Sequence, residues 1–128
     1  MTILFIFGTR PEAIKLAPLI KEFAKHPDLF EVKICVTAQH RQMLDHVLDF
    51  FKITPHYDLN MMQKDQSLFN ITSQIIKNLE PVLNDAEPDL IFVQGDTTTA
   101  FVGALSGFYK KIKIAHIEAG LRSHDKFA

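Results

Sequence analysis

Residues Ile3 to Lys15, ILFIFGTRPEAIK, constrain the fold more than any other stretch of the chain. An unbroken apolar run meets a Gly-Thr-Arg-Pro-Glu turn and passes directly into helical periodicity, which reads as strand, loop, helix. Ile3 to Phe7 shows no polar alternation, so both faces of that strand should be covered, as in a central parallel strand flanked by helices. Thr9 is a natural N-cap, Pro11 suits a first helical turn, and Glu12 three residues after Thr9 completes the spacing of a capping box. Gly8 is expected to let the backbone turn tightly. Arg10 and Lys15 bring two cations to a helix N-terminus whose free N–H groups and dipole already favour anions, so a phosphate-bearing ligand is expected there. The alternative is that both cations are solvated, with Lys15 paired to Glu12 at helical spacing.

Strands and helices alternate along the rest of the chain. Glu12 to about Lys25 reads as a helix kinked at Pro18, and Glu31 to Thr37 as a second, parallel strand. Thr37-Ala38-Gln39-His40-Arg41-Gln42 then leads into a helix with Met43, Leu44, Val47, Leu48 and Phe51 on one face. A short third strand is expected at Tyr57 to Leu59, and a long helix from Leu68 to near Ala86 with a bend at Pro81. Asp89 to Val93 forms another apolar strand that delivers Gln94-Gly95-Asp96-Thr97 to the sheet edge. A helix over about Thr98 to Tyr109 should pack closely through Gly103 and Gly107, before a last strand at Lys113 to Ile117. This is an α/β, doubly wound domain with a mainly parallel, Rossmann-like sheet, expected in the order 3-2-1-4-5. In that order the Gly8 to Lys15 loop, the Gln94 to Asp96 turn and the Glu118 to Arg122 segment line one crevice.

Composition narrows the chemistry. The 128 residues are one domain's worth of chain, and 47% hydrophobic content supplies a core. Fourteen basic against fifteen acidic residues, a net charge of -1, argue against nucleic acid as the main partner. The single cysteine, Cys35, fits a reducing cytoplasm and reads as a small buried hydrophobe. No apolar run approaches the ~20 residues that span a bilayer, and no signal peptide is evident, so a soluble, unexported protein is expected. Asp96 falls at a helix N-terminus, as a base, a charge stabiliser or an ordinary N-cap. Glu118, between an apolar strand and Ala-Gly, fits either a site role or a buried ion pair with Arg122. His116 reads as a strand-end core residue. Neither dinucleotide nor P-loop fingerprints occur, and zinc and serine-hydrolase motifs are missing, so no cofactor or metal is called for.

Four motifs, GTRPEAIKLAPL at Gly8 to Leu19, TAQHRQMLD at Thr37 to Asp45, GDTTT at Gly95 to Thr99 and HIEAGLRS at His116 to Ser123, together resemble the non-hydrolysing UDP-N-acetylglucosamine 2-epimerases of bacteria. The resemblance runs through essentially the whole chain. It implies that residues 1–128 are the N-terminal domain of a two-domain, GT-B-type fold, lacking a further catalytic Glu and a C-terminal UDP-binding domain. It also implies interconversion of UDP-N-acetylglucosamine and UDP-N-acetylmannosamine, with Asp96 and Glu118 as catalytic carboxylates and Arg10 and Lys15 as substrate-binding cations. Gln39, His40, Arg41 and Gln42 become candidates for a regulatory UDP-N-acetylglucosamine site, with plain helix capping as the alternative. Asp65 stands where some relatives carry a basic residue, and Gln94 where many have His. A homodimer, a cytoplasmic location and a role in surface-polysaccharide precursors follow from the family. Taken alone, the chain is expected to be catalytically incompetent; a nucleotide-sugar binding module and the N-terminal domain of a GT-B glycosyltransferase are the competing readings.

Overall fold

The computed structural model describes residues 1–38, 41–61 and 65–127. Five strands and four helices alternate: β1 (Thr2–Phe7), α1 (Arg10–Ala24), β2 (Glu31–Val36), α2 (Arg41–Phe50), β3 (Tyr57–Asp58), α3 (Leu68–Ala86), β4 (Leu90–Gln94), α4 (Thr98–Tyr109) and β5 (Lys113–Ile117). All four strand pairings are parallel and the order is β3-β2-β1-β4-β5, as the sequence implied. The apolar β1 therefore lies mid-sheet, and Ile3 through Phe7 are fully buried.

Alternation along β1 divides the core in two. Ile3, Phe5 and Phe7 point to one face and pack with Leu16 and Ile20 of α1 and Leu44 and Leu48 of α2. There Phe5 stacks on Phe92 with ring centroids 4.9 Å apart and planes 9° from parallel. Leu4 and Ile6 point to the other face, against Ile75, Leu79 and Leu83 of α3 and Val102 of α4. Placing α1 and α2 on one side and α3 and α4 on the other leaves a crevice outside the β1 and β4 carboxyl ends, where the winding direction reverses.

Close approach explains two glycines. A Cβ on Gly107 would lie 2.4 Å from Ile114 Cδ1 and 2.9 Å from Ile91 Cδ1, so α4 packs on the sheet through this residue. Gly8 is also required for space, rather than for the conformational freedom expected of it: its Cβ would fall 1.9 Å from Thr37 Oγ1. Both Pro18 and Pro81 lie inside helices that continue past them.

Candidate active site

Parallel strands deliver their following loops to one edge, and the β1, β4 and β5 loops meet in a cavity of about 350 Å³. Its walls include Glu12, Lys15, Gln94, Asp96, His116 and Glu118. The three segments expected to converge do so.

Glu118 follows the last residue of β5 at φ 60, a left-handed conformation that a residue with a side chain adopts at a cost. Its carboxylate joins Lys15 Nζ, one α1 turn beyond Glu12, in an ion pair across the cavity. The same oxygen accepts from Gln94 Nε2, whose side chain is buried at the end of β4. Of the two readings of Glu118, the buried ion pair with Arg122 is the one the structure removes: the carboxylate is exposed to the cavity and its partner is Lys15, while the Arg122 guanidinium donates to the Leu121 carbonyl. Lys15 is correspondingly not held by Glu12.

Asp96 precedes the N-cap of α4 but is not the cap. Thr97 is, accepting from Ala100 N at 3.1 Å. Asp96 is exposed on the cavity wall and has no hydrogen-bond partner among the described residues. The two carboxylates therefore differ in setting: one is joined to a cation and an amide, the other faces the open cavity. Arg10, the first residue of α1, is exposed and is not among the residues lining the cavity.

Three cavity residues escaped the sequence reading as site residues. His116 is exposed rather than a core residue, and its Nε2 lies 2.6 Å from the Gly95 carbonyl. Gln94, expected to line the crevice with its turn but given no role there, carries the amide that meets Glu118. Glu12, read as a capping residue, is 1% exposed and accepts from Gly8 N, Thr9 N and Thr9 Oγ1 through Oε2, and from Thr97 Oγ1 through Oε1. The Gly8 and Thr9 N–H groups that a phosphate could have used are thus already donating to a side chain. The Thr-x-x-Glu spacing was the available signal for Glu12; its contact with Thr97, 85 residues away, had none.

At the other end of the β2 edge, Gln39 and His40 lie outside the described residues. Arg41 is committed to structure: Nη2 meets both Asp58 oxygens at 2.5 and 2.6 Å, and Nε donates to Asn60 Oδ1 at 3.2 Å. Its hydrogen bond to Asp58 raises its pKa above the ordinary arginine value. Gln42 is exposed on α2. Among the described residues no helix is long and apolar enough to cross a membrane.

A family model described as UDP-N-acetylglucosamine 2-epimerase matches residues 21–128. The UDP-N-acetylglucosamine 2-epimerase of Escherichia coli (strain K12) is 53% identical over 128 residues, 100% of this chain and 34% of that protein. The enzyme of that name from Salmonella borreze is 59% identical over 121 residues, 94% of this chain and 32% of that protein. Among solved structures, UDP-GlcNAc 2-epimerase from Neisseria meningitidis bound to UDP-GlcNAc is similar at a TM-score of 0.94 and 54% identity, over 99% of this chain and 34% of that one. The Methanocaldococcus jannaschii enzyme in complex with UDP-GlcNAc and UDP gives 0.92 at 36% identity, over 99% of this chain and 35% of that one. The chain spans about a third of the length of these relatives. With its parallel sheet, its convergent loops and a family match over residues 21–128, the chain belongs to the UDP-N-acetylglucosamine 2-epimerase family.

Proposed function

We propose that this chain is the N-terminal domain of an enzyme that interconverts UDP-N-acetylglucosamine and UDP-N-acetylmannosamine, and that a C-terminal domain gripping UDP completes the site. The observation that carries this reading is the meeting of Lys15, Asp96 and Glu118 around one cavity at the switch point of the sheet. The C2 proton of the sugar has no adjacent carbonyl to acidify it. Inversion therefore proceeds by elimination: a base takes the C2 proton, the C–H pair becomes the C1=C2 bond of a 2-acetamidoglucal, and the C1–O pair leaves with UDP. Protonation of C2 from the opposite face and return of the UDP oxygen to C1 complete the exchange. No external oxidant or reductant is consumed.

Asp96 and Glu118 are the catalytic carboxylates of this half. Asp96, open to the cavity, is the group free to accept a proton, and Glu118 is placed to stabilise positive charge developing at C1. Lys15 and Arg10 serve the departing diphosphate, and the three N–H donors of the Lys15 ammonium let it meet phosphate oxygens while it keeps Glu118. Arg41 and Gln42, with Gln39 and His40, are assigned to an effector site; the Asp58 pairing of Arg41 means that an anionic effector must compete with a carboxylate. The enzyme is a cytoplasmic homodimer that supplies precursors of surface polysaccharides. Exposed Phe101 and Phe108, seven residues apart on α4, support the self-association.

Proton NMR with UDP-N-acetylglucosamine in deuterated water tests the function. The chain extended to the length of its relatives should incorporate deuterium at C2 and form UDP-N-acetylmannosamine, whereas residues 1–128 alone should do neither. Asp96→Asn and Glu118→Gln should each lower turnover by about 100-fold or more while nucleotide binding persists. Near-parental turnover in both variants refutes the assignment. Binding without exchange in the extended protein establishes a nucleotide-sugar module instead.

A further inference from the structure

We propose that Glu12 is a positioning residue whose buried carboxylate locks the α1 entrance to the α4 entrance and so fixes Asp96 opposite the Lys15–Glu118 pair. The proposal rests on the epimerase reading for its catalytic consequence and on the geometry alone for the positioning itself. A capping box needs only one acceptor at the third helical position, and Gln fills that role as well as Glu. Glu12 does more. Oε2 gathers three donors, Gly8 N at 2.9 Å, Thr9 N at 2.7 Å and Thr9 Oγ1 at 2.8 Å, while Oε1 takes the Thr97 hydroxyl at 2.6 Å. Only a carboxylate accepts at both oxygens.

The carboxylate has no ion-pair partner among the described residues, although it is 1% exposed. Four neutral donors and the positive ends of two helix dipoles, those of α1 and α4, surround its charge instead. Burying an anion between two helix N-termini draws both toward one point. It thereby sets their separation.

From that point the contacts close into a ring around the cavity. Thr97 is bonded to Asp96 in the chain. Gly95, on the other side of Asp96, donates its N–H to the Ile117 carbonyl at 2.9 Å, and its carbonyl meets His116 Nε2 at 2.6 Å. Ile117 leads into Glu118, Glu118 pairs with Lys15, and Lys15 returns along α1 to Glu12. Asp96 is thus clamped from β5 on one side and from α1 on the other. The Glu12–Thr97 hydrogen bond is the side-chain link that ties the Asp96 turn to α1; β4, the packed α4 and the Gly95–Ile117 hydrogen bond hold the turn on its other sides. Displacements of about 1 Å at a reacting group are enough to lower the chemical step while leaving substrate binding intact.

The test uses the protein extended to the length of its relatives, assayed where every variant is fully folded by circular dichroism. Thr97→Val keeps the branched shape and removes the hydroxyl, Thr97→Ser restores the hydroxyl, and Glu12→Gln is near-isosteric with one acceptor lost. Thr97→Val and Glu12→Gln should lower kcat by about 10-fold or more with KM within about threefold of the parent, and Thr97→Ser should recover kcat to within about threefold. A kcat within about twofold of the parent in both, a KM that rises as kcat falls, or a Ser variant as impaired as Val overturns the proposal. If the parent epimerises no UDP-sugar, the functional reading fails separately, and positioning is decided on residues 1–128 by NMR. Glu12→Gln should then move the Asp96 carboxyl carbon signal and speed amide exchange at Gly8 and Thr9; an unmoved Asp96 signal overturns it.

Discussion

Glu118 shows how single residues carry the site. At φ 60 its backbone occupies space that glycine fills more cheaply, a cost of about 1 to 2 kcal/mol, and what stands there is a carboxylate aimed at a lysine. Two other residues set a pH dependence. Burial, with the negative charge of Asp58, pushes the Cys35 thiol from an ordinary 9.0 up to about 12. The hydrogen bond to Asp85, at 2.6 Å, and burial push the Tyr57 phenol from 10.0 up to about 12. Both groups hold their protons more tightly folded than unfolded. Their contribution is therefore complete below about pH 9 and lost as pH rises towards about 12, because the unfolded chain releases these protons first. The urea midpoint should fall between about pH 9 and pH 11, and Cys35→Ala should flatten part of that fall; a midpoint that holds level across the range contradicts this. At this scale the sequence named Asp96, Glu118 and Lys15 correctly as neighbours of one crevice. It could not tell which carboxylate meets which cation, because Lys15 and Glu118 are 103 residues apart and helical spacing offered Glu12 as a nearer partner.

Elements were legible where periodicity is strong and less so where a contact decides. The expected bounds of α4 and β5 match, since a Gly-and-apolar helix and a short β-branched strand stand between clear lysine and polar breaks. Helix α1 begins at Arg10, as the N-cap read at Thr9 implies and two residues ahead of the apolar spacing that starts at Glu12, because the cap rather than hydrophobicity sets its first residue. The roles of two loop glycines were not separable by sequence. At Gly8 the obstacle is steric, since a Cβ would strike the Thr37 hydroxyl that bonds Thr99 Oγ1 at 2.9 Å in the buried interior. At Gly95 there is open space around the Cβ position but φ is +70, so the obstacle is conformational. Gly8→Ala should cost about 1 to 3 kcal/mol by overpacking. Gly95→Ala should cost about 1 to 2 kcal/mol by strain. Replacing Thr37 by Ala, which removes the hydroxyl that the Cβ would strike, should lessen the Gly8→Ala loss and leave the Gly95→Ala loss unchanged. Urea unfolding of the single and paired variants measures both, and equal effects of Thr37→Ala on the two would show the distinction to be wrong.

For the molecule as a whole, the sheet and its helices account for the core but leave Phe101 63% and Phe108 71% exposed on α4. A second copy covering that face would remove them from water. Replacing both by Ser should shift the extended protein toward monomer in sedimentation velocity, at a concentration where the parent is a dimer, without loss of helical signal. A monomeric parent, or an unchanged distribution in the variant, refutes the proposed pairing through α4. The sequence by itself determined the element order, the five-strand parallel topology and the edge at which three loops meet, because apolar periodicity, turn residues and crossover handedness are local or near-local properties. Only the tertiary structure decided the pairing of Lys15 with Glu118, the cap at Thr97 and the buried Glu12 that joins two helix entrances. The first and the last depend on distances between residues remote in the chain, and such distances are set by how the sheet and helices pack, which no local pattern encodes. The cap is a contact three residues long, but Asp96 and Thr97 are both good capping side chains and the backbone of the turn chooses between them.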